Sequence, residues 1–279
     1  MKKYFPTINQ AFVLVVQWFL LSLLAMLLAL PLMVLAYFLE GAPVWEENVK
    51  SFAMLLTYVL ALYWIIKMSK NKIKEKDGQI LKWHFVKVPA KLLVIAAIIT
   101  VALTVLTDPL TELIPMPESV EKIFKEMVQA NVFSFLTLVV AAPVLEELFF
   151  RGIILDGFLK NYAPRKAIIW SAVIFGAAHM NPWQFVGAGL AGLLIGWVYY
   201  KTGSLIPGML MHFVNNLISY VVTLSTNKDN FHELFTNQWI YFGIIGISLL
   251  IFVLGVFAIH REYMYPVQKS PLQDKINLN

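Results

Sequence analysis

From residue 11 to residue 39 the chain runs without a single Asp, Glu, Lys, Arg or His. Seven further apolar runs follow, near 52–67, 89–107, 132–159, 167–180, 184–200, 204–224 and 238–259. A bilayer core offers the backbone no water, so segments of this kind must satisfy their own hydrogen bonds as helices. Roughly 20 apolar residues span about 30 Å of hydrocarbon. A transmembrane barrel would instead show alternating segments of about 10 residues, which are absent. The expected fold is therefore all-α, a polytopic bundle of about eight transmembrane helices. It forms one membrane domain over residues 1–279, with a motif-bearing core at about 132–224.

Composition agrees. Hydrophobic residues make up 59% of the 279 positions and charged residues 14%, against about 45–50% and about 25% in soluble domains. A soluble enzyme is excluded. The run from Ala11 is too long for a signal-peptide core of about 7–15 residues and reads as a first, uncleaved span. The chain has no cysteine, so disulfides and thiol chemistry are excluded.

The formal charge of +5 does not indicate nucleic acid, because the basic residues follow topology rather than forming one patch. With a cytoplasmic N-terminus and eight alternating spans, one side gathers Lys2, Lys3, the lysine-rich stretch Lys67–Lys91, Arg151, Lys160, Arg165, Lys166, Lys201, Arg261, Lys269 and Lys275. Of the 22 Lys and Arg, only Lys50, Lys122, Lys125 and Lys228 fall elsewhere. The opposite loops are acidic, with Glu40, Glu46, Glu47, Asp108, Glu112, Glu118, Glu121 and Glu126. The positive-inside rule then places both termini in the cytoplasm. Trp64, Trp83, Trp183, Tyr199, Tyr200 and Trp239 lie near span ends, as interfacial aromatics do. Gly187, Gly189 and Gly192 spell GxGxxG without a preceding strand, and with Gly196 they read as close helix packing.

Ionisable side chains inside a span cost at least ~2.5–3.5 kcal/mol each by insertion scales. This chain nevertheless places Glu146, Glu147 and Arg151 in its fourth run, His179 in its fifth and His212 with Asn216 in its seventh. The first three runs carry essentially nothing ionisable in their interiors. Glu147 and Arg151 are four apart, in the favourable order for an ion pair on one helix face. Glu146 lies about 100° around the helix, free of that pair. His212 and Asn216 share a face, as do Phe175 and His179, whose rings can brace each other. At about 1.5 Å per residue, Glu146 lies about 21 Å from Lys160, His179 about 20 Å from Lys166 and His212 about 13 Å from Gly203. Pro143 kinks the helix ahead of the carboxylates. His84, His232 and His260 read as solvated. Each feature alone has a structural reading, but interhelical hydrogen bonds in membranes average only ~0.6 kcal/mol. Gathering so many polar groups for cohesion alone is a costly arrangement.

In order along the chain, Glu146 to Arg151 reads EExxxR, Phe175 to His179 reads FxxxH, and His212 to Asn216 reads HxxxN. This trio on successive membrane helices resembles the CAAX protease and bacteriocin-processing family of intramembrane proteases, which includes the type II prenyl endopeptidases. The resemblance covers roughly residues 140–220. It implies an eight-helix fold and an endopeptidase acting on a peptide or protein substrate within or at the bilayer. Glu146 would activate water, His179 would be its partner, and His212 and Asn216 would form the second pair. Glu147, Arg151 and Phe175 would support them. Desolvation makes a carboxylate more basic, which suits a general base. His212 and Asn216 fit as oxyanion donors. Glu146, His179 and His212 would alternatively hold Zn²⁺ with an open position for water; metal-independent activation is the reading adopted. Prenylated CAAX tails, peptide-pheromone precursors and bacteriocin-like peptides are all candidate substrates. Two other classes use the same residues: a non-catalytic membrane scaffold or bacteriocin-immunity protein, and an ion-coupled transporter with a proton relay. A transporter would favour inverted repeats or paired broken helices, and the sequence shows neither.

Overall fold

The computed structural model of the chain describes residues 3–111, 113–226 and 237–263. Lys2, Glu112, Lys228, His232, Lys269 and Lys275, invoked above for topology or solvation, lie outside the described residues, as do the side chains of Glu121 and Lys125. Among the described residues the chain is all-helical. We number the helices α1 (Ile8–Phe38), α2 (Pro43–Asp77), α3 (Ala90–Thr111), α4 (Glu118–Met127), α5 (Val132–Asn161), α6 (Pro164–Ala177), α7 (Pro182–Thr202), α8 (Leu205–Thr226) and α9 (Gln238–Glu262).

Eight of these coincide with the eight apolar runs, and the extra one, α4, is a short amphipathic helix. Six of them (α1, α2, α3, α5, α8 and α9) are long and apolar enough to cross a bilayer. The fifth run differs from a full crossing: α6 has 14 residues, about 21 Å of helix against a core of about 30 Å. Its far end therefore stops short, and His179 lies in the turn just beyond it. The stretch expected as a lysine-rich loop from Lys67 is helical up to Asp77. Lysine is a good helix former, and the helix closes only at Gly78, whose φ of 69° supplies the left-handed cap.

Contacts among the connections sort the helix ends into two faces. On one, the Tyr4 amide donates to Asn161 Oδ1 at 2.8 Å and the Phe5 amide to the Asp77 carboxylate at 3.1 Å. There too the Leu205 amide donates to His84 O at 2.8 Å, and Lys91 pairs with Glu262 at 2.8 Å. Gly157 admits the N-terminal segment: a Cβ there would lie 2.4 Å from Pro6 Cδ. On the other face Asn131 Nδ2 donates to Ser51 Oγ at 2.9 Å and Tyr220 OH to Gln129 O at 2.7 Å. This is the alternation the charge pattern implies, with Lys3, the lysines from Lys67 to Lys91, Arg165 and Lys166 on one face. Arg151 is an exception. It was counted with that basic face, but it is 1% exposed and ion-paired inside the bundle.

At the centre, α5 is enclosed by α2, α6 and α8. Its Phe149, Phe150, Ile153, Ile154, Leu155 and Phe158 are essentially inaccessible. Trp18 of α1 packs edge-on against Phe149 and Phe150. Two aromatics expected at the interface turn inward instead. Tyr199 is buried in this cluster, and Trp83 from the α2–α3 connection packs over Gly152, where a Cβ would come within 2.7 Å of its ring. Of the glycine series, Gly192 and Gly196 do face α6 neighbours, Phe175 with Ala172 and Ile168 respectively, whereas Gly187 faces open space.

Candidate active site

The local course of α5 sets the site. Asn131 caps the helix by accepting from the Ser134 amide at 2.9 Å. Two π-helical stretches, Leu136–Ala141 and Phe150–Leu155, bracket the α-helical turn pair Ala142–Phe149 that carries both glutamates. In the first stretch the amide of residue i+5 serves carbonyl i, as the Ala142 amide does for Thr137 O. The next carbonyl, Leu138 O, would need an amide from Pro143, which has none. Asn216 Nδ2 of α8 donates to it instead, at 2.8 Å. The kink expected at Pro143 is thus a π-helical widening whose freed acceptor is taken up by a neighbouring helix.

Within the bracketed segment Glu147 is fully buried and Arg151 is 1% exposed. Arg151 Nη1 donates to Glu147 Oε1 at 2.8 Å, Nη2 donates to the Gly192 carbonyl of α7 at 3.2 Å, and the guanidinium stacks 4.5 Å from the Phe175 ring centroid. The same Glu147 oxygen meets His212 Nδ1 at 3.1 Å. A carboxylate only accepts, so Nδ1 carries the hydrogen, and in the neutral imidazole Nε2 is the acceptor. That Nε2 faces Glu146 Oε2 at 3.9 Å, beyond direct hydrogen-bonding distance but suited to one bridging water. His212 is 6% exposed and Glu146 8%. Gly208, one turn before His212, leaves room for Glu147: a Cβ there would lie 3.1 Å from Glu147 Oε2.

The other oxygen of Glu146, Oε1, accepts a short hydrogen bond from Tyr58 OH of α2. Sequence reasoning missed this residue and described the first three spans as empty of ionisable groups. A tyrosine in the middle of the second apolar run was the available signal, a weak one, since tyrosine packs in such helices for its ring alone.

Phe175 is the hub of the aromatic packing. Its ring stands edge-on to His179 at 5.2 Å and to His212 at 5.7 Å. His179 Nδ1 donates to the Phe175 carbonyl at 3.0 Å, leaving Nε2 as an acceptor. The turn after His179 is fixed by Asn181, whose Nδ2 donates to the His179 carbonyl at 2.9 Å and whose Oδ1 caps α7. The structure therefore brings Glu146, Glu147, Arg151, Phe175 and His212 into mutual contact and seats His179 against the same ring. Asn216 lies one turn beyond His212, engaged with α5 through Leu138 and with Asn215.

Glu146, His179 and His212 were the candidate Zn²⁺ ligands. Both Nδ1 atoms donate elsewhere, to Glu147 and to the Phe175 carbonyl, which leaves each Nε2 free, as in metal-binding histidines. Among the described residues no three His, Cys, Asp or Glu side chains group as metal ligands.

Residues 128–218 match the family model described as "Type II CAAX prenyl endopeptidase Rce1-like". The matched third of the chain contains all three motifs and every site residue except Tyr58, and it is similar to a family of membrane-embedded proteases. Neither a curated protein nor a solved structure matches the chain.

Proposed function

We propose that the chain is an intramembrane endopeptidase in which Glu146 and His212 together hold and activate the water that splits a peptide bond. The observation that carries this reading is the setting of His212 between two carboxylates, Nδ1 on Glu147 and Nε2 towards Glu146. Glu147 and Arg151 are sealed from solvent and from each other's competitors, so they orient the imidazole rather than meet substrate. Glu146 and the Nε2 lone pair are both acceptors, and a water between them donates to each. Its oxygen then points its own lone pairs outward, towards an incoming carbonyl. Attack transfers one water proton to Glu146 and forms a tetrahedral oxyanion. The second amide hydrogen of Asn216 is the donor assigned to that oxyanion, while His179, on the other flank of Phe175, presents an acceptor to the site. Collapse returns the proton from Glu146 to the departing amine, leaving a new carboxylate and a new amino group.

Tyr58 fixes which carboxylate oxygen faces His212, because its hydroxyl occupies the other. Hydrogen bonds to charged groups contribute about 1.5–3 kcal/mol. Tyr58→Phe is therefore expected to lower kcat about 10-fold, the kinetic equivalent of about 1.4 kcal/mol, with KM little changed. A purely structural tyrosine would instead lower the thermal midpoint and leave kcat of the folded fraction intact.

The basic face, which carries the start of α1 and the end of α9, is assigned to the cytoplasm by the positive-inside rule, and substrate enters from that side. A farnesylated peptide ending in a CAAX sequence, and the same peptide without its lipid, test the activity on purified protein in detergent. Release of the C-terminal tripeptide, unaffected by 1,10-phenanthroline, is expected from at least one. Failure to cleave either, in parallel with a broad membrane-peptide library, would overturn the endopeptidase reading, and loss of cleavage on chelation would overturn the metal-independent one.

A further inference from the structure

A cleft unrelated to the catalytic residues opens on the basic face, between the start of α1 and the start of α6. It encloses about 440 Å³ and is lined by Lys3, Thr7, Asn9, Phe12, Lys166 and Trp170, with Ile8 and Tyr162 completing its wall. Two properties of this lining are unusual together. No carboxylate contributes to it, although it holds two lysines. Its chemistry is also layered along the membrane normal. Trp170 follows Lys166 by four residues, so it lies one turn, about 6 Å, further along α6 than the basic mouth, and Phe12 lies one turn into α1 beyond Ile8. The two rings meet edge-on at 6.3 Å and remain partly open, Phe12 42% and Trp170 36% exposed. Lys166 is steadied by the Tyr162 ring, 5.2 Å from its ammonium.

A cationic mouth above an exposed aromatic floor, at the level where helices leave the bilayer, has the polarity profile of a phospholipid turned inside out. We propose that this cleft binds one anionic phospholipid, its phosphate between Lys3 and Lys166 and the upper part of an acyl chain along Phe12 and Trp170. Basic pockets between membrane helices recognise anionic headgroups in this way, and exposed aromatics at this depth favour the headgroup boundary. Occupancy would tie the N-terminal segment, which already binds Asn161 and Asp77, to α6.

Native mass spectrometry of the full-length protein, released from micelles doped with equal amounts of dioleoyl phosphatidylglycerol and dioleoyl phosphatidylcholine, tests this directly. The wild type is expected to retain one phosphatidylglycerol in preference to phosphatidylcholine. A lysine near an anionic surface contributes a factor of about 5, so Lys3→Gln or Lys166→Gln is expected to weaken that preference about 5-fold and the double variant about 25-fold. Trp170→Ala should cost affinity for the dioleoyl lipid but not for a short-chain analogue. All three positions are at the surface, and an unchanged thermal midpoint of the lipid-free variants confirms their folding. No preference for the anionic lipid, or a preference that survives the double substitution, overturns the proposal. Displacement of the lipid by millimolar inorganic phosphate or glycerol 3-phosphate also overturns it, by showing a site for a soluble anion.

Discussion

Replacement of Glu146 by glutamine is expected to lower the rate of peptide cleavage by about 10²–10⁴-fold, the usual contribution of a positioned general base. Glutamine keeps the size of the side chain and its Oε1 acceptor for Tyr58, so the bundle should assemble with an unchanged thermal midpoint. What it removes is the capacity to take a proton from water held against His212 Nε2. The comparison needs only purified protein, a cleaved peptide and a melting curve. A glutamine variant that cleaves at more than about a tenth of the wild-type rate would transfer the role of base to another group, because general-base effects are at least about 10²-fold. A non-catalytic scaffold or an immunity protein would show no change in its own phenotype on this substitution.

Loss of Arg151 should act on stability first. Its guanidinium neutralises Glu147, ties α5 to α7 at the Gly192 carbonyl and covers the Phe175 ring. Arg151→Met leaves the fully buried Glu147 carboxylate without its cation, and breaking a buried pair in this way typically costs about 3–5 kcal/mol. The variant is expected to be recovered in low yield, with a strongly lowered thermal midpoint. Adding Glu147→Gln removes the stranded charge, and the double variant should regain most of the lost stability. It should not regain cleavage, because a neutral amide no longer holds the His212 Nδ1 hydrogen as a carboxylate does. Recovery of stability without recovery of turnover separates the cohesive role of the pair from its role in orienting the imidazole. If Arg151→Met melts like the wild type, the buried pair described here is not present in the protein.

Much of this arrangement is legible in the sequence because lipid imposes simple rules. Eight apolar runs become eight helices because continuous apolar runs of this length satisfy their backbone in hydrocarbon as helices, and the lysines segregate as the ends of those helices do. The pairing of Glu147 with Arg151 follows from a four-residue spacing, and the bracing of His179 by Phe175 from the same spacing on α6. What could not be read has equally physical causes. The π-helical widening at Leu136–Ala141 needs a carboxamide from α8 to satisfy Leu138, and a tertiary partner of that kind has no local signature. Tyr58 reaches Glu146 across 88 positions of sequence, from a helix whose hydropathy is ordinary. Helix angle sets Glu146 apart from the Glu147–Arg151 pair, and the family resemblance supplies their roles; that His212 would lie between them depends on how α8 packs, set in part by the space left at Gly208. The short reach of α6 reflects Asn181 and Pro182, which start the next helix in the break between the fifth and sixth apolar runs.

The claim at the centre of this account is that Glu146 activates water and does not itself attack the peptide. Single-turnover cleavage in H₂¹⁸O, with enzyme in excess over peptide, distinguishes the two. Direct attack by water predicts one ¹⁸O in the new C-terminal carboxylate of the product and none in the enzyme peptide containing Glu146. Appearance of ¹⁸O in Glu146, with an unlabelled product from the first turnover, would contradict it.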